Sequence, residues 1–479
     1  MRKAIIIFIV CIMFGTAVPH TISAKTSIWD GSVASEFSSG NGGESSPYRI
    51  TTADELAFLA EAVNNGNTFT GVYFELDADI FLNDTAESNW KENAKKWIPI
   101  GAFDTAFSGI FNGNGHTVSG LYITCYDSYV GLFGKAIDAK ITNLGVINSF
   151  VQGSSSVGAI VGEDENCYFE ACYSDCEIHG EFNLGGISGT SICSTFKKCY
   201  NLGNISGNKI VGGISGNAME APLFEHCYNV GELTVSSEIV GGIVGNLGRG
   251  STTSSYNAGS INGNKYIGGI VGFSGGCSIT DCYNIGAIKG EDSVGGIFGH
   301  ATATMSTCYN SGEVNSTTNG GSIGGVITNY SYATYCYYLQ SGTAKAFGAL
   351  CDVTTAPPSY SEYAESPEKC KPLSLQEMKK KESFAGFDFD NVWTMGNDLF
   401  LFPVLSISEA VPFKLGDVND NGEIDKYDYI LVKRAVLNTI ALNDVQKRAA
   451  NVNENDGVDK YDYILIKRHV LKTFTIKTH

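Results

Sequence analysis

Proline is scarce in this chain of 479 residues: there are 10, against 57 glycines. That combination argues against a disordered linker protein and for tight turns inside a regular structure. Positive charge is also short. Lys and Arg number 32 against 50 Asp and Glu, a formal net charge of −18, which excludes a nucleic-acid-binding protein. After the first two dozen residues no apolar run is long enough to span a membrane as a helix. Familiar catalytic signatures are missing too. The sequence has no HExxH, and His116, His179, His226 and His300 are scattered, so zinc-peptidase chemistry lacks its residues.

The start, MRKAIIIFIVCIMFGTAVPHTISAK, pairs Arg2 and Lys3 with an apolar run and then small residues up to Ala24. This is the pattern of a secretory signal peptide over residues 1–24, so the expected location is secreted and extracellular. Of 14 cysteines only Cys11 lies in that leader, leaving 13. An odd number in an exported chain leaves at least one thiol unpaired within the chain.

The middle of the chain repeats itself. The segments YVGLFG, SVGAIVG, LGGISG, VGGISG, VGGIVG, IGGIVG, VGGIFG and IGGV place glycines at 131, 158, 185, 212, 241, 268, 295 and 324, with spacings of 27 or 29. A second marker follows most of them: CYS at 172, CYN at 199, 227, 282 and 308, SYN at 255 and CYY at 336. Short apolar–polar alternations between Gly, Asn and Ser read as strands and turns. One such unit cannot bury its apolar face alone, whereas stacked copies can. The expectation is a right-handed parallel β-helix of rungs of about 27 residues. Equivalent positions then superpose into columns: Cys172, Cys199, Cys227, Cys282, Cys308 and Cys336 in one, with Leu144 and Ser255 as stand-ins. Packing of small buried hydrophobes explains that column better than disulfides or a metal. Asn201, Asn229, Asn257, Asn284 and Asn310 form a second column, read as an amide ladder.

These units resemble GLUG repeats, with their GGIVG core and following CYN-x-G. The flanks PYRITTADELAFLAEAVNNGNTFTGVYFELDADIFLN, WIPIG and FSGIFNGNGHTVSGLYI resemble the usual lead-in, and FAGFDFDNVWTMGNDLFLFPVL the closing segment. The resemblance implies a β-helix over roughly 47–406 and little chemistry, since the family has no single activity. It divides the chain into a cap and first rungs (25–128), the repeats (129–350), and a polar excursion with a closing rung (351–410). Thr52-x-x-Glu55 reads as a capping box opening a helix that covers the end of the rod.

A glycosidase needs two carboxylates about 5 to 10 Å apart. Glu163, Asp164 and Glu165 are the nearest candidates, but neighbouring units place Thr190–Ser191 and Asn217–Ala218 in that column, so they read as solvated loop charge. The rod is expected to be non-catalytic and to lack catalytic residues. The rival expectation is a polysaccharide lyase or glycoside hydrolase whose site is built across rungs.

Near the end, DKYDYILVKRAVL and DKYDYILIKRHVL stand 34 residues apart with two differences in thirteen positions. Asp417, Asn419, Asn421, Asp425 and Asp428 occupy positions 1, 3, 5, 9 and 12 of a loop, Gly422 sits at the turn, and Glu423 offers a backbone carbonyl. That spacing wraps oxygens around one calcium ion. Asn451, Asn453, Asn455, Gly457 (by its backbone), Asp459 and Asp462 repeat the pattern. There Asn replaces the first Asp and Asp456 the turn glycine, so the first loop is expected to bind calcium strongly and the second more weakly. A helix follows each loop but no comparable helix precedes the first.

This arrangement over 414–475 resembles a type I dockerin, a small all-α module of two loop–helix F-hands. The resemblance implies calcium-dependent binding to a cohesin domain on a scaffoldin protein, in a complex of the cellulosome type. Lys426, Tyr427, Lys433 and Arg434 would form one docking face, and Lys460, Tyr461, Lys467 and Arg468 its alternative. The whole chain then reads as a non-catalytic rod, attached through its dockerin and serving adhesion, substrate contact or spacing during polysaccharide breakdown. A polysaccharide or surface protein is a further expected partner.

Overall fold

The computed structural model describes residues 28–86, 89–342, 345–362, 370–396 and 402–406, and in the C-terminal module residues 418, 424, 426–436, 450–452, 458 and 460–470. The leader lies outside the described residues.

Alternation of inward and outward side chains produces the rod. In one rung the strands Val161–Glu165 and Tyr168–Glu170 belong to one long sheet, and Tyr173–Gly180 and Phe182–Gly185 to a second. The chain turns between them at Asn166, Ala171 and Asn183, each with φ between 52° and 55°. Rungs pair in parallel and in register, as in Val157↔Leu184↔Val211↔Val240↔Ile267↔Val294. The chain is therefore mainly β, a parallel β-solenoid, as its repeat implies.

Columns read from the sequence run down its interior. The cysteine column from Cys172 to Cys336 is buried, and its thiols form no disulfide. Cys370, which pairs with Cys336, continues it by one more rung. The asparagine column is a continuous ladder: Asn201, Asn229, Asn257 and Asn284 each donate from Nδ2 to the next amide at 2.8 Å. Each also donates to a glycine carbonyl two residues on, so every buried amide is satisfied. Its near-complete burial excludes the ladder as a sugar-binding row.

Three expectations need correction. The last repeat is not aligned on Gly324: Gly295 pairs with Gly321, and Gly324 stands beside Phe298. A Cβ on Gly324 would come within 2.3 Å of the Phe298 ring, so glycine there makes room for an aromatic neighbour. The helix Ala53–Asn64 is present, but Thr52 makes no side-chain cap. Glu55 instead accepts from the backbone N–H groups of Thr51 and Ser38. Glu163, Asp164 and Glu165 are not a solvated loop. They lie in the strand Val161–Glu165, where alternation turns Asp164 into the core and only Glu165 to solvent.

On the outside of the second sheet, Tyr173, Tyr200, Tyr228, Tyr256, Tyr283 and Tyr309 stack at 4.6 to 5.1 Å between centroids. The closing segment covers the far end of this stack. Phe384, Phe387 and Trp393 pack on Tyr309 and Tyr337, Tyr309 donates to the Pro403 carbonyl at 2.6 Å, and Trp393 Nε1 donates to Asp281 at 3.0 Å.

Candidate functional site

The repeat itself cuts a groove along the rod. After each tyrosine–asparagine strand comes a glycine (Gly203, Gly231, Gly259, Gly286) whose Cβ would strike the backbone of the rung below at about 2 Å. The chain dips there, and the groove left outside has a volume of about 890 Å³. Leu202, Val230, Ala258 and Ile285 form an apolar stripe along it, beside Asn204, Glu232 and Ser260. Five rungs at about 4.8 Å per step give it a length of roughly 19 Å.

One rung breaks the rule. Where the next five rungs read YN-x-G, it reads YSDCEIHG, and the strand Tyr173–Gly180 runs through unbroken. Cys176 points inward, so Asp175, Glu177 and His179 share the outer face. Asp175 and Glu177 line the groove's end with Trp90 and Lys91 of the short 3₁₀ helix Trp90–Asn93. Glu177 accepts from Lys91 on one oxygen and lies 2.8 Å from His179 Nε2 on the other. Aromatic rings border the cluster: Trp90 on Tyr122 at 5.7 Å, Tyr122 on Phe150 at 5.9 Å, Phe150 on His179 at 5.3 Å, with Lys91 Nζ 4.0 Å from the Phe150 centroid.

The two carboxyls are driven apart. Burial raises Asp175, which has no hydrogen-bond partner among the described residues to counter it. Burial acts on Glu177 in the same direction, but the bonds from Lys91 and His179 outweigh it and hold its carboxyl below the usual range. The sequence reading missed this cluster. The available signal was the rung's departure from the repeat, with three polar side chains at alternate positions.

The acidic triplet does other work. Asp164 is fully buried and accepts from Ser188 and, at 3.0 Å, from Ser191. Burial pushes it up to about 7 against those serine bonds. Glu163 pairs with Lys135 at 3.0 Å.

In the C-terminal module two helices, Lys426–Val436 and Lys460–Val470, share a small core. Copies meet copies in it: Val432 and Ile466 are both buried, Val418 and Val452 belong to the same cluster, and Tyr429 meets Tyr463 at 6.1 Å. Asp462 is buried and Asn451 partly buried. A carboxylate this deep requires compensation by hydrogen bonds or a cation. Together with an amide oxygen it suits a hard ion such as calcium. Asp417, Asn419, Asn421, Glu423, Asp425, Asn453, Asn455, Gly457 and Asp459 lie outside the described residues, as do the side chains of Lys426, Tyr427, Asp428 and Arg434. Lys433, Lys460, Tyr461 and Arg468 are exposed, and Lys467 is partly covered, 3.4 Å from the Tyr463 hydroxyl.

Fold and module together define a β-solenoid carrying a paired loop–helix appendage. Residues 415–471 match the dockerin type I domain and residues 263–289 the GLUG motif, so the chain joins GLUG repeats to a C-terminal dockerin. Such a domain implies a cohesin partner, and type I dockerins are generally calcium-binding. Halomucin of Haloquadratum walsbyi is 34% identical over 137 residues, 28% of this chain and 1% of that protein. A protein of Evansella cellulosilytica named as a Gly-rich membrane protein is 30% identical over 161 residues, 32% of this chain and 17% of that protein. The chain thus spans a small part of these relatives. A Bacteroides ovatus structure named for an immunoglobulin A1 protease aligns over 78% of this chain and 96% of its own at 19% identity, with a TM-score of 0.38, too loose a likeness to carry an argument. No helix among the described residues is long and apolar enough to cross a membrane.

Proposed function

We propose that the chain is a secreted subunit of a polysaccharide-degrading complex, held through its dockerin to a cohesin on a scaffoldin at the cell surface, and that its rod meets polysaccharide along the groove. The observation that carries the docking half is the duplicated module whose equivalent residues pack on one another. Calcium supplies the charge that lets the loop carboxylates converge while the module folds. Asp417, Asn419, Asn421, Glu423, Asp425 and Asp428 would hold the first ion. Asn451, Asn453, Asn455, Gly457, Asp459 and Asp462 would hold the second, with fewer carboxylates and lower affinity. Lys426, Tyr427, Lys433 and Arg434, or their copies Lys460, Tyr461, Lys467 and Arg468, would face the cohesin.

Of adhesion, spacing and substrate contact, the groove favours the last. It is long and open, with Trp90 at one end, and one rung advances about as far as one pyranose unit. Titration of the full chain with a type I cohesin, with calcium and then with chelator, tests the docking. Depletion onto insoluble polysaccharide tests the groove. Absence of cohesin binding at micromolar concentration sinks the first half; cohesin binding without depletion sinks the second.

A further inference from the structure

From the Asp175–Glu177 end of the groove we infer a hydrolytic site for neutral polysaccharide, with Asp175 as the general acid and Glu177 as the general base. The inference rests on the groove receiving a glycan, and goes beyond it in assigning a reaction.

The geometry has four parts. Asp175 and Glu177 are two residues apart on one strand and share its outer face, which separates their Cα atoms by about 6.6 Å. Side chains on one strand face project in parallel, which brings carboxyls roughly 6 to 7 Å apart within reach, the lower end of the separation used in single-displacement hydrolysis. Lys91 and His179 fix both oxygens of Glu177, so its carboxylate is positioned before any ligand arrives. The carboxyl of Asp175 makes no hydrogen bond among the described residues and lines the groove. Trp90 lines the groove at the same end, backed by Tyr122 and Phe150.

The opposite directions of the two carboxyl shifts agree with this division of labour, burial favouring the protonated form of Asp175 and the bonds to Glu177 its ionised form. In the reaction, Asp175 gives its proton to the glycosidic oxygen as the bond from that oxygen to the anomeric carbon breaks. Glu177 takes a proton from the water whose oxygen bonds to that carbon. One water is consumed and two hydroxyl ends are formed. A proton passing from Glu177 to Asp175 through solvent restores the pair, with no oxidant or reductant involved. With Asp175 protonated, Glu177 and Glu232 still outnumber Lys91 along the groove, so uronate and sulfate chains are repelled.

The test incubates the full chain with xylan, glucomannan and mixed-linkage β-glucan, and with polygalacturonate as the anionic control. Depletion and new reducing ends are followed in parallel. The expected result is new ends from at least one neutral chain and none from polygalacturonate. Asp175→Asn and Glu177→Gln should each lower the rate about a hundredfold or more while each variant remains folded by circular dichroism. On nitrophenyl glycosides, whose leaving group needs no proton, Asp175→Asn should retain activity and Glu177→Gln should not; a merely structural role would give no such split. Depletion without new ends overturns the hydrolytic site and leaves the contact reading standing. Neither depletion nor new ends overturns both. New ends that survive both substitutions place the chemistry elsewhere and overturn the assignment.

Discussion

The rod and the C-terminal module both repeat themselves, and they use repetition for opposite ends. In the rod each rung meets only its neighbours, and identical side chains stacked on one another become the bonding itself, as in the asparagine ladder and the tyrosine stack. Such a structure gains stability with every copy. The module has two copies and a core whose buried members among the described residues are Val418, Val432, Ala450 and Ile466. Two copies cannot build a solenoid, and with so small a core the proposed calcium ions would contribute directly to folding. Repetition gives the rod its continuous ladders and, on the proposed docking, would give the module two alternative faces.

The largest expected effect sharpens that contrast. Chelating calcium should unfold the module and abolish cohesin binding while the β-sheet signal of the rod persists. Far-ultraviolet dichroism and thermal melts with and without chelator follow both parts at once. An unchanged helical signal in chelator would mean that the small core suffices, and the comparison would break.

Next in size is an exception within the rod. Asp164 stands in an inward column whose neighbours are Ala136 and Ser191. Its folded value of about 7 lies above the 3.8 of an unperturbed carboxyl. Below pH 3.8 both states are protonated and the group costs nothing. Between 3.8 and 7 the unfolded chain loses a proton that the folded rod keeps, so stability falls as pH rises, and above 7 the loss is complete at about 4 kcal/mol. Asp164→Asn should remove that slope and raise the denaturant midpoint at neutral pH; a variant with the wild-type slope would contradict the burial argument. Third comes the ladder. Asn229→Ala strands the Gly231 carbonyl and one polar atom on each of Asn201 and Asn257, and should cost roughly 3 kcal/mol in the same denaturation. A cost under about 1 kcal/mol would show that the ladder only decorates the core.

Most of this was legible in the sequence where the repeat was regular, because superposed copies turn a one-dimensional spacing into a three-dimensional column. The spacing of glycine and CYN foretold the rungs, the cysteine slot and the amide ladder. It failed where copies depart from consensus. Aligning Gly324 by its IGGV motif placed it three residues out, since the pairing follows the space Phe298 needs. The strand carrying Asp164 read as a loop because three acidic residues in a row hide which one alternation buries. Asp175 and Glu177 went unnoticed for a related reason: the Lys91 that pairs with Glu177 lies 86 residues away, and only the fold brings the cluster together.

The smallest effect bears most directly on why the module is doubled. If its two faces dock equally well, removing one leaves the other. Lys433→Ala with Arg434→Ala should therefore halve cohesin affinity, a change of about 0.4 kcal/mol. The same change at Lys467 and Arg468 should do no more, since the two copies of the thirteen-residue segment differ only in Val432 against Ile466 and in Ala435 against His469. Combining all four substitutions removes both faces, and the loss should then exceed about a hundredfold, as for truncation of interface anchors. Titration calorimetry on the full chain measures all three variants, with the dichroism of the module showing that each remains folded. Loss of binding from either pair alone would mean a single orientation of docking, and the duplication would have to be explained by folding.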